Sequence, residues 1–363
     1  MHTAIHYEPR FEVPAPAERE ALGQLLSALK YISDTTFHDT GRPLRSVHAK
    51  SHGLLRATLR VLPGLPATLA QGLFAHAADY PVILRLSTTP GDLLPDAVST
   101  PRGMALKVLC VRGERLAGSD NTATQDFVLV NSTTFLNAGP KEFVPGLKML
   151  AATTDRMPRF KQAFSKALRG AERLLEKSGT DSAGIKVMGG HPATHPLGEH
   201  FFSQTAFLYG AYMAKFSLAP VTVGLTSLHD VPLDVAHDPD ALRHAVRSYF
   251  AQQGAEWELR VQLCTNIEEM PVEDASSEWP EQLSPWQPVA RIVAPPQIGW
   301  SDALSAAIDE GMSFSPWHGL AAHRPLGSVN RVRKAAYEMS AALRAQRRGA
   351  PLQEPTSLEG LPF

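Results

Sequence analysis

The stretch YPVILRLST, residues 80–88, decides the fold that we predict for this chain. It is short, rich in β-branched and aliphatic residues and followed by turn-forming residues, which is the pattern of a β-strand. Six runs of the same kind occur elsewhere: 54–62, 103–111, 125–131, 204–220, 257–265 and 288–294. Because these runs cluster without regular helical crossovers, we predict an antiparallel sheet or barrel with appended helices, an α+β fold.

Helical patterns lie before, between and after the predicted strands. They cover five segments: 16–33, 141–177 with a break near Pro158, 239–253, 301–311 and 328–348. We divide the chain into an N-terminal arm and helix (1–39), a β-barrel domain with inserted and C-terminal helices (40–348), and a loose tail (349–363).

The composition argues against a nucleic-acid or membrane partner. The 363 residues contain 35 basic and 36 acidic side chains, so the basic excess typical of proteins with such partners is missing. No signal-peptide-like core opens the chain and no stretch is apolar for long enough to span a bilayer, which predicts a soluble cytoplasmic protein. Cys110 and Cys264 lie in apolar runs, so we expect buried free thiols.

The segment RVRKAAYEMSAALR, residues 331–344, combines a tyrosine and arginines on one helical face. At about 100° per residue, Arg333, Tyr337 and Arg344 lie within roughly 40° of one another. Their neighbours on this face are mostly small, so a flat anionic group could lie against it. A solvated basic helix is the alternative that this segment alone leaves open.

Two further segments offer side chains for chemistry. RSVHAKSHG, residues 45–53, places His48 three positions after Arg45, and an imidazole in a dry pocket is the usual group for moving a proton near neutral pH. On the strand quoted above, Arg85 and Ser87 are two residues apart and point to the same face. A buried arginine there would need an anionic partner. Taken alone, each of these residues also has a structural explanation.

The remaining polar signals are weaker. Asn121, in GSDNT, lies in a turn-like stretch that turn chemistry explains equally well, and Phe135 is a core residue by default. Three histidines within ten residues could ligate a metal: His191, His195 and His200. Pro192 and Pro196 break any helix there, so we favour an exposed loop. The sequence has no glycine-rich phosphate loop, no CxxC pair and no GxSxG elbow.

The order of these motifs along residues 40–345 resembles the haem catalase family, and within it the small catalase-like (catalase-related) peroxidases. RSVHAK is similar to the segment of the family's distal histidine, LRLST to a strand with a propionate-binding arginine, and RKAAY to the helix of the iron-binding tyrosine. The resemblance implies a catalase-like antiparallel β-barrel that encloses haem b (iron protoporphyrin IX), without a C-terminal flavodoxin-like domain.

The resemblance also implies a role for each candidate residue. His48 would transfer the peroxide proton, Asn121 would orient the peroxide and Ser87 would fix the imidazole. Tyr337 would be the axial ligand of the haem iron, as a phenolate that Arg⁺ and ferric iron stabilise. Six residues would line the haem: Arg45, Arg85 and Arg344 on its propionates, Arg333 beside the tyrosine, Phe135 over the distal pocket, and Val47 before the distal histidine.

The chain departs from the family in ways that bear on its activity. It is much shorter than a full catalase, Thr100 stands where the family has a channel aspartate, and Thr89 where it has a channel valine. These differences favour a haem-dependent peroxidase that reduces organic hydroperoxides and hydrogen peroxide through a ferryl intermediate, with a small reductant and weak or no catalase activity. We expect a homodimer or a looser homo-oligomer in place of the interlocked catalase tetramer.

Three other functions stay open from the sequence. They are a true small catalase that dismutates hydrogen peroxide, a fatty-acid hydroperoxide isomerase of the epoxyalcohol or allene oxide type, and a haem-binding or haem-sensing protein without turnover. Val47 precedes His48 where the allene-oxide-forming relatives have a threonine, which counts mildly against the isomerase.

Overall fold

A computed structural model describes residues 3–119, 122–153 and 191–363. Within these ranges the chain forms nine strands: β1 (Ser51–Val61), β2 (Asp79–Thr88), β3 (Arg102–Val108), β4 (Gln125–Val130), β5 (Phe201–Phe202), β6 (Phe207–Tyr209), β7 (Tyr212–Pro220), β8 (Ala255–Leu263) and β9 (Gln287–Ala294). The seven predicted runs overlap all of them except β5, whose two residues are too few to form a recognisable pattern.

The strands close into a ring. Their order is β5-β4-β3-β2-β1-β9-β8-β7, neighbours are antiparallel, and β5 also pairs with β7. The result is an eight-stranded antiparallel barrel in which β6 forms a hairpin with β7. The predicted α+β class, with an antiparallel barrel and appended helices, is therefore confirmed.

The barrel interior is a closed apolar core. Leu55, Leu84 and Trp257 are fully buried there. Phe127 and Phe216 reach in from β4 and β7, and their ring centroids are 4.8 Å apart. Each such side chain contributes about 1.5–3 kcal/mol by leaving water, so the barrel is a rigid platform. Because its interior is filled with side chains, the barrel has no room for a haem, which corrects the prediction that it encloses one; the candidate site lies on its outer face.

The outer face of β1–β4 carries the second layer of the fold. The register places Arg85 opposite Ala105 and Ser87 opposite Gly103. Side chains alternate along a strand, so Arg85 and Ser87 face away from the barrel interior that receives Leu84. Apolar side chains of this outer face pack against the chain that follows β9: Leu54, Ile83 and Ala105 contact a group made of Leu304, Ile308, Met312 and Phe314.

In the described ranges, helices pack around the barrel. They are α1 (Glu18–Thr40), α2 (Pro140–Thr153), α3 (Val223–Thr226), α4 (Ala241–Phe250), α5 (Asp302–Leu304) and α6 (Gly327–Arg348), with a π-helical turn at Ser305–Glu310 directly after α5. Helices α1, α2 and α6 pack together through small and aliphatic side chains such as Ala28, Leu147 and Val332. This packing holds the face of α6 that carries Tyr337 at a fixed place beside the barrel.

The tail at 349–363 is not the loose arm that we predicted. The carboxylate of Glu354 accepts hydrogen bonds from the Ser313 backbone N–H (3.0 Å) and hydroxyl (2.6 Å), and it pairs with Lys107 at 2.6 Å. Apolar tail residues pack on the outer cluster: Leu358, Leu361 and Phe363. The prediction failed because these contacts join residues that are far apart in sequence, and local sequence patterns do not predict such contacts.

Cys110 is exposed, which corrects the prediction that both thiols are buried. Strand β3 ends at Val108, and Cys110 adopts the left-handed conformation with φ of +62°, so its side chain leaves the apolar layer. Its thiol lies 3.4 Å from the Thr356 carbonyl oxygen. Cys264 is buried as predicted, and both cysteines are free.

Some predicted features fall at the margin of the described chain. The region 141–177 begins as α2, which is described to Thr153, but Pro158 lies outside the described residues, as does Asn121. The predicted helix at 301–311 divides into α5 and the π-helical turn. In the described ranges, no helix is long and apolar enough to cross a membrane.

Candidate functional site

His48 lies against the outer face of the barrel and contacts the predicted serine. Its Nδ1 is 3.0 Å from the Ser87 hydroxyl, and its backbone N–H donates to Thr89 O at 2.8 Å. The residue adopts a φ of +53°, a left-handed conformation that directs the ring onto β3. A Cβ at Gly103 would lie 2.7 Å from His48 Cε1, so the ring occupies the space that this glycine leaves.

The surroundings of His48 keep the imidazole neutral. Burial, followed by the positive charges of Arg85, Arg333 and Arg45, lowers the pKa of His48 to about 3. At neutral pH the ring is therefore a base. With Nδ1 held by Ser87, Nε2 is the nitrogen that can exchange a proton with a ligand.

Three predicted arginines converge on the π-helical turn. Arg85 donates its Nε–H to Asp309 Oδ1 at 2.6 Å. Arg45 and Arg344 both donate to the backbone carbonyls of Asp309 and Met312, at 2.6–3.1 Å. A π-helical turn departs from the α-helical hydrogen-bonding pattern, and such turns often occur at functional sites.

The three guanidiniums of the arginine cluster outnumber the two carboxylates that act on them, Asp309 and Glu354. Burial alone would raise the pKa of Asp309, but Arg85 and Arg45 hold it below its usual range. Burial and the neighbouring Arg85 lower the pKa of Arg344 to about 10, so this side chain is still charged at neutral pH. Arg344 is 2% exposed, and its Nε–H has no partner among the described residues. The cluster can therefore bind further anionic groups.

Asp309 is fixed in place by hydroxyl groups as well as by arginine. Its Oδ2 accepts hydrogen bonds from Ser51 (2.6 Å) and Ser305 (2.9 Å), while its Oδ1 binds Arg85. The carboxylate thus anchors Arg85 from behind and cannot easily swing away. It is a site residue that the sequence did not reveal, since nothing near position 309 distinguishes it from a surface aspartate.

Helix α6 presents the predicted pair of arginine and tyrosine. Arg333 Nη2 is 3.2 Å from the Tyr337 hydroxyl, and its guanidinium carbon lies 5.4 Å from the centre of the phenol ring. Arg333 Nη1 also donates to Asn330 Oδ1 at 3.2 Å. Tyr337 is half-buried, so its phenol is supported from one side and accessible on the other.

The segment before His48 lies against α6. Ser46 Oγ is 3.5 Å from Ser340 Oγ, and Val47 packs at the edge of the helical cluster with Ala336 and Met339 as neighbours in that cluster. The loop that carries the histidine and the helix that carries the tyrosine therefore face each other across small and apolar side chains.

Phe135 and the histidine-rich loop lie elsewhere. Phe135 contacts Phe143 of α2, with ring centroids 4.9 Å apart. The three loop histidines have separate surroundings: His191 Nε2 is bonded to Asn131, His195 accepts from the Leu197 N–H, and His200 lies near Phe202. In the described part of the chain, no group of three potential ligands is arranged to hold a metal ion.

The fold is similar to solved catalase structures. Catalase A from Saccharomyces cerevisiae aligns over 91% of this chain and 70% of its own, with a TM-score of 0.59 and 17% identity. A fungal catalase (91% and 68%, TM-score 0.56) and a bacterial catalase (98% and 66%, TM-score 0.58) are also 17% identical. No protein-family model and no curated protein matches the sequence. The comparisons show a catalase-like fold.

Proposed function

We propose that this chain, which has a catalase-like fold, is a haem-dependent peroxidase that reduces organic hydroperoxides and hydrogen peroxide with a small reductant. One observation carries the proposal: the buried Arg85 and Arg344 and the partly buried Arg45 converge on the turn around Asp309, beside the Tyr337 face of α6, and the buried Nε–H of Arg344 has no partner among the described residues. Surplus positive charge in a dry place calls for an anionic ligand.

The donor set fits haem b. Three guanidiniums, those of Arg45, Arg85 and Arg344, outnumber the two carboxylates that act on them, Asp309 and Glu354, and haem b carries two propionates that such donors bind. The buried Nε–H of Arg344, which has no described partner, is a donor that a propionate would use. Tyr337, 3.2 Å from a guanidinium nitrogen of Arg333, offers a phenol oxygen, and phenolate is an established type of ligand for haem iron. Val47, which packs beside Ala336 of α6, would supply an apolar contact.

Bound haem would supply the iron at which the oxygen–oxygen bond of a peroxide is cleaved. The protein's own contribution would be proton transfer and orientation. His48 Nε2 would accept a proton from the bound peroxide and return it to the departing oxygen. Ser87 holds the ring by Nδ1, and the neutral state of the imidazole makes it ready to accept. We assign the orientation of the peroxide to the amide of Asn121.

Thr100 favours a peroxidase over a catalase. It replaces the channel carboxylate of the catalase family, it is buried, and its hydroxyl has no hydrogen-bond partner among the described residues. The hydroxyl of Thr89, the other departure, is bonded to Pro101 O at 2.8 Å. Neither side chain restores the negative charge that the family places on the way to its haem.

The test is peroxide turnover by the haemin-reconstituted full chain. We expect faster oxidation of a chromogenic donor with cumene hydroperoxide than with hydrogen peroxide, and little oxygen release. His48→Ala should keep haem and lose roughly 10²–10⁴-fold in turnover. Vigorous oxygen release would identify a small catalase, and conversion of a lipid hydroperoxide without donor oxidation would identify an isomerase. A haem spectrum without turnover would leave a haem-binding or haem-sensing protein; each of these results overturns the proposal.

A further inference from the structure

We infer that Asn330 is a positioning residue that aims Arg333 at Tyr337 without neutralising its charge. The inference rests on the proposed function, in which Tyr337 is the ligand of the haem iron. Asn330 lies near the start of α6, seven residues before Tyr337, and its side chain is completely buried. A buried amide is costly unless its polar atoms are all bonded, so its partners reveal what it does.

The partners of Asn330 fix the orientation of its amide. Nδ2 donates to the carbonyls of Ala206 and Leu326, both at 3.0 Å. Oδ1 accepts from Arg333 Nη1 at 3.2 Å and from the Thr205 hydroxyl at 3.1 Å. A flipped amide would set its NH₂ group against the Arg333 donor and its oxygen against two carbonyls. The oxygen therefore faces the arginine.

The backbone at this position is also held. The Trp317 indole N–H donates to Asn330 O at 2.8 Å, which ties the start of α6 to the chain before it. With Nη1 of Arg333 bound to the fixed amide, Nη2 is the nitrogen that reaches the Tyr337 hydroxyl at 3.2 Å. Thr205, Asn330 and Arg333 thus form a hydrogen-bonded relay in which both neighbours donate to the Asn330 amide oxygen. This relay sets the direction of the guanidinium.

The neutrality of the relay decides its electrostatic effect. Thr205 donates a neutral hydroxyl to the neutral amide oxygen of Asn330, which also accepts from Arg333, and Arg333 forms no ion pair with any residue in the described ranges. An aspartate at position 330 would orient the guanidinium equally well but would cancel its charge. The amide instead leaves the full charge of Arg333 facing the Tyr337 oxygen. The same charge reaches His48, whose pKa it helps to lower.

Asn330→Asp tests the inference because it keeps the shape of the side chain and adds the opposing charge. The first measurement is the ferric/ferrous midpoint potential of the haemin-reconstituted protein, with the ferric Soret spectrum as a second readout. We expect Asn330→Asp to lower this potential, because the added carboxylate offsets the Arg333 charge that faces the Tyr337 oxygen. Gln346→Glu, an exposed amide-to-acid change on the same helix, is the matched control and should leave it unchanged.

Asn330→Ala covers the case in which the aspartate variant does not fold. Releasing Arg333 should move the potential in the same direction by a smaller amount. An unchanged potential in folded variants that bind haemin overturns the inference and leaves Asn330 as a structural tether of α6. A wild-type chain that binds no haemin refutes the proposed function, and the inference that rests on it falls with it.

Discussion

His48 can lie against the barrel wall only because residue 103 is a glycine. A Cβ there would be 2.7 Å from His48 Cε1 and 2.9 Å from Nδ1. Gly103→Ala should displace the ring, break its contact with Ser87 and destabilise the protein by about 1–3 kcal/mol. We expect haemin binding to persist while peroxide turnover falls, measured with thermal unfolding as the stability check. Gly23→Ala on α1, where the added Cβ meets nothing within 4 Å, is the control and should be stabilising.

The pH dependence of turnover tests the electrostatic setting of His48. Because the pKa of His48 is lowered to about 3, the imidazole is neutral throughout the range from pH 5 to 8. The value of kcat/KM for the peroxide should therefore stay flat across that range. Ser87→Ala should lower the rate but keep the flat profile. An acid limb with a midpoint near 6.5 that disappears in His48→Ala would contradict this account.

Single residues of the site differ in how far the sequence reveals them. The contacts between His48 and Ser87 and between Arg333 and Tyr337 follow from motif order and helical spacing, which are local. Asp309 could not be found in this way, because its role depends on arginines from three distant segments. The roles that we assign to these residues stay predictions until variants are measured.

At the scale of elements, the C-terminal tail acts as a strap over the outer layer. Glu354 is tied to Lys107 and Ser313, and burial would raise its pKa, but Lys107 and His318 lower it to about 2. Glu354→Ala should destabilise the protein by about 1–3 kcal/mol, because buried donors lose their partner. Urea unfolding measures the change. The exposed Glu359, five residues on, is the matched control, and a loss of equal size in Glu359→Ala would contradict the strap.

The π-helical turn shows why some elements resist prediction. Residues 301–311 have a helical pattern, and the chain does form helical turns there. The local pattern does not distinguish a π turn from an α turn, since the carbonyls at 308, 309 and 312 are bound by guanidiniums from other parts of the fold. The strands were easier to predict, because each run has its own alternation of apolar residues and its own β-branched residues.

At the scale of the whole molecule, buried histidines couple stability to pH. Burial lowers the pKa of His323 to about 4, against about 6.5 in an unfolded chain. Between these values the unfolded state binds more protons, so stability is intact above pH 6.5 and falls as the pH drops towards 4. Within that range, His323 should lower the free energy of unfolding by about 1.4 kcal/mol for each unit by which the pH falls.

His323→Gln isolates this contribution. Glutamine can still accept the hydrogen bond that His323 Nε2 takes from the Leu73 N–H, but it does not titrate. Urea titrations at several pH values give the slope of the unfolding free energy against pH. Between about pH 4 and 6.5 this slope should fall by the amount that corresponds to one proton bound on unfolding. His76→Gln, at an exposed position, should leave the slope unchanged. Equal slopes in His323→Gln and the wild type would show that this histidine is not buried as a neutral ring.

Sequence patterns predict more of the overall fold than of the candidate site. Barrel class, strand order along the chain and the final helix follow from patterns within each segment. Closure of the ring through the two-residue β5 and the packing of the tail depend on contacts between distant segments. Oligomeric state, preferred peroxide and electron donor depend on surfaces and ligands outside one chain, and sequence patterns do not encode them locally.

The most direct test of the central claim is a haemin titration of the wild-type apoprotein and of Tyr337→Phe, followed by the Soret band. We expect one equivalent of haemin to bind the wild-type chain and to give a tyrosinate-type ferric spectrum. Tyr337→Phe should lose both the tight binding and this spectrum. Tyr31→Phe, an exposed tyrosine on α1, should behave as wild type. Equal affinity and an identical spectrum in Tyr337→Phe, or a wild-type chain that does not bind haemin, would contradict the claim.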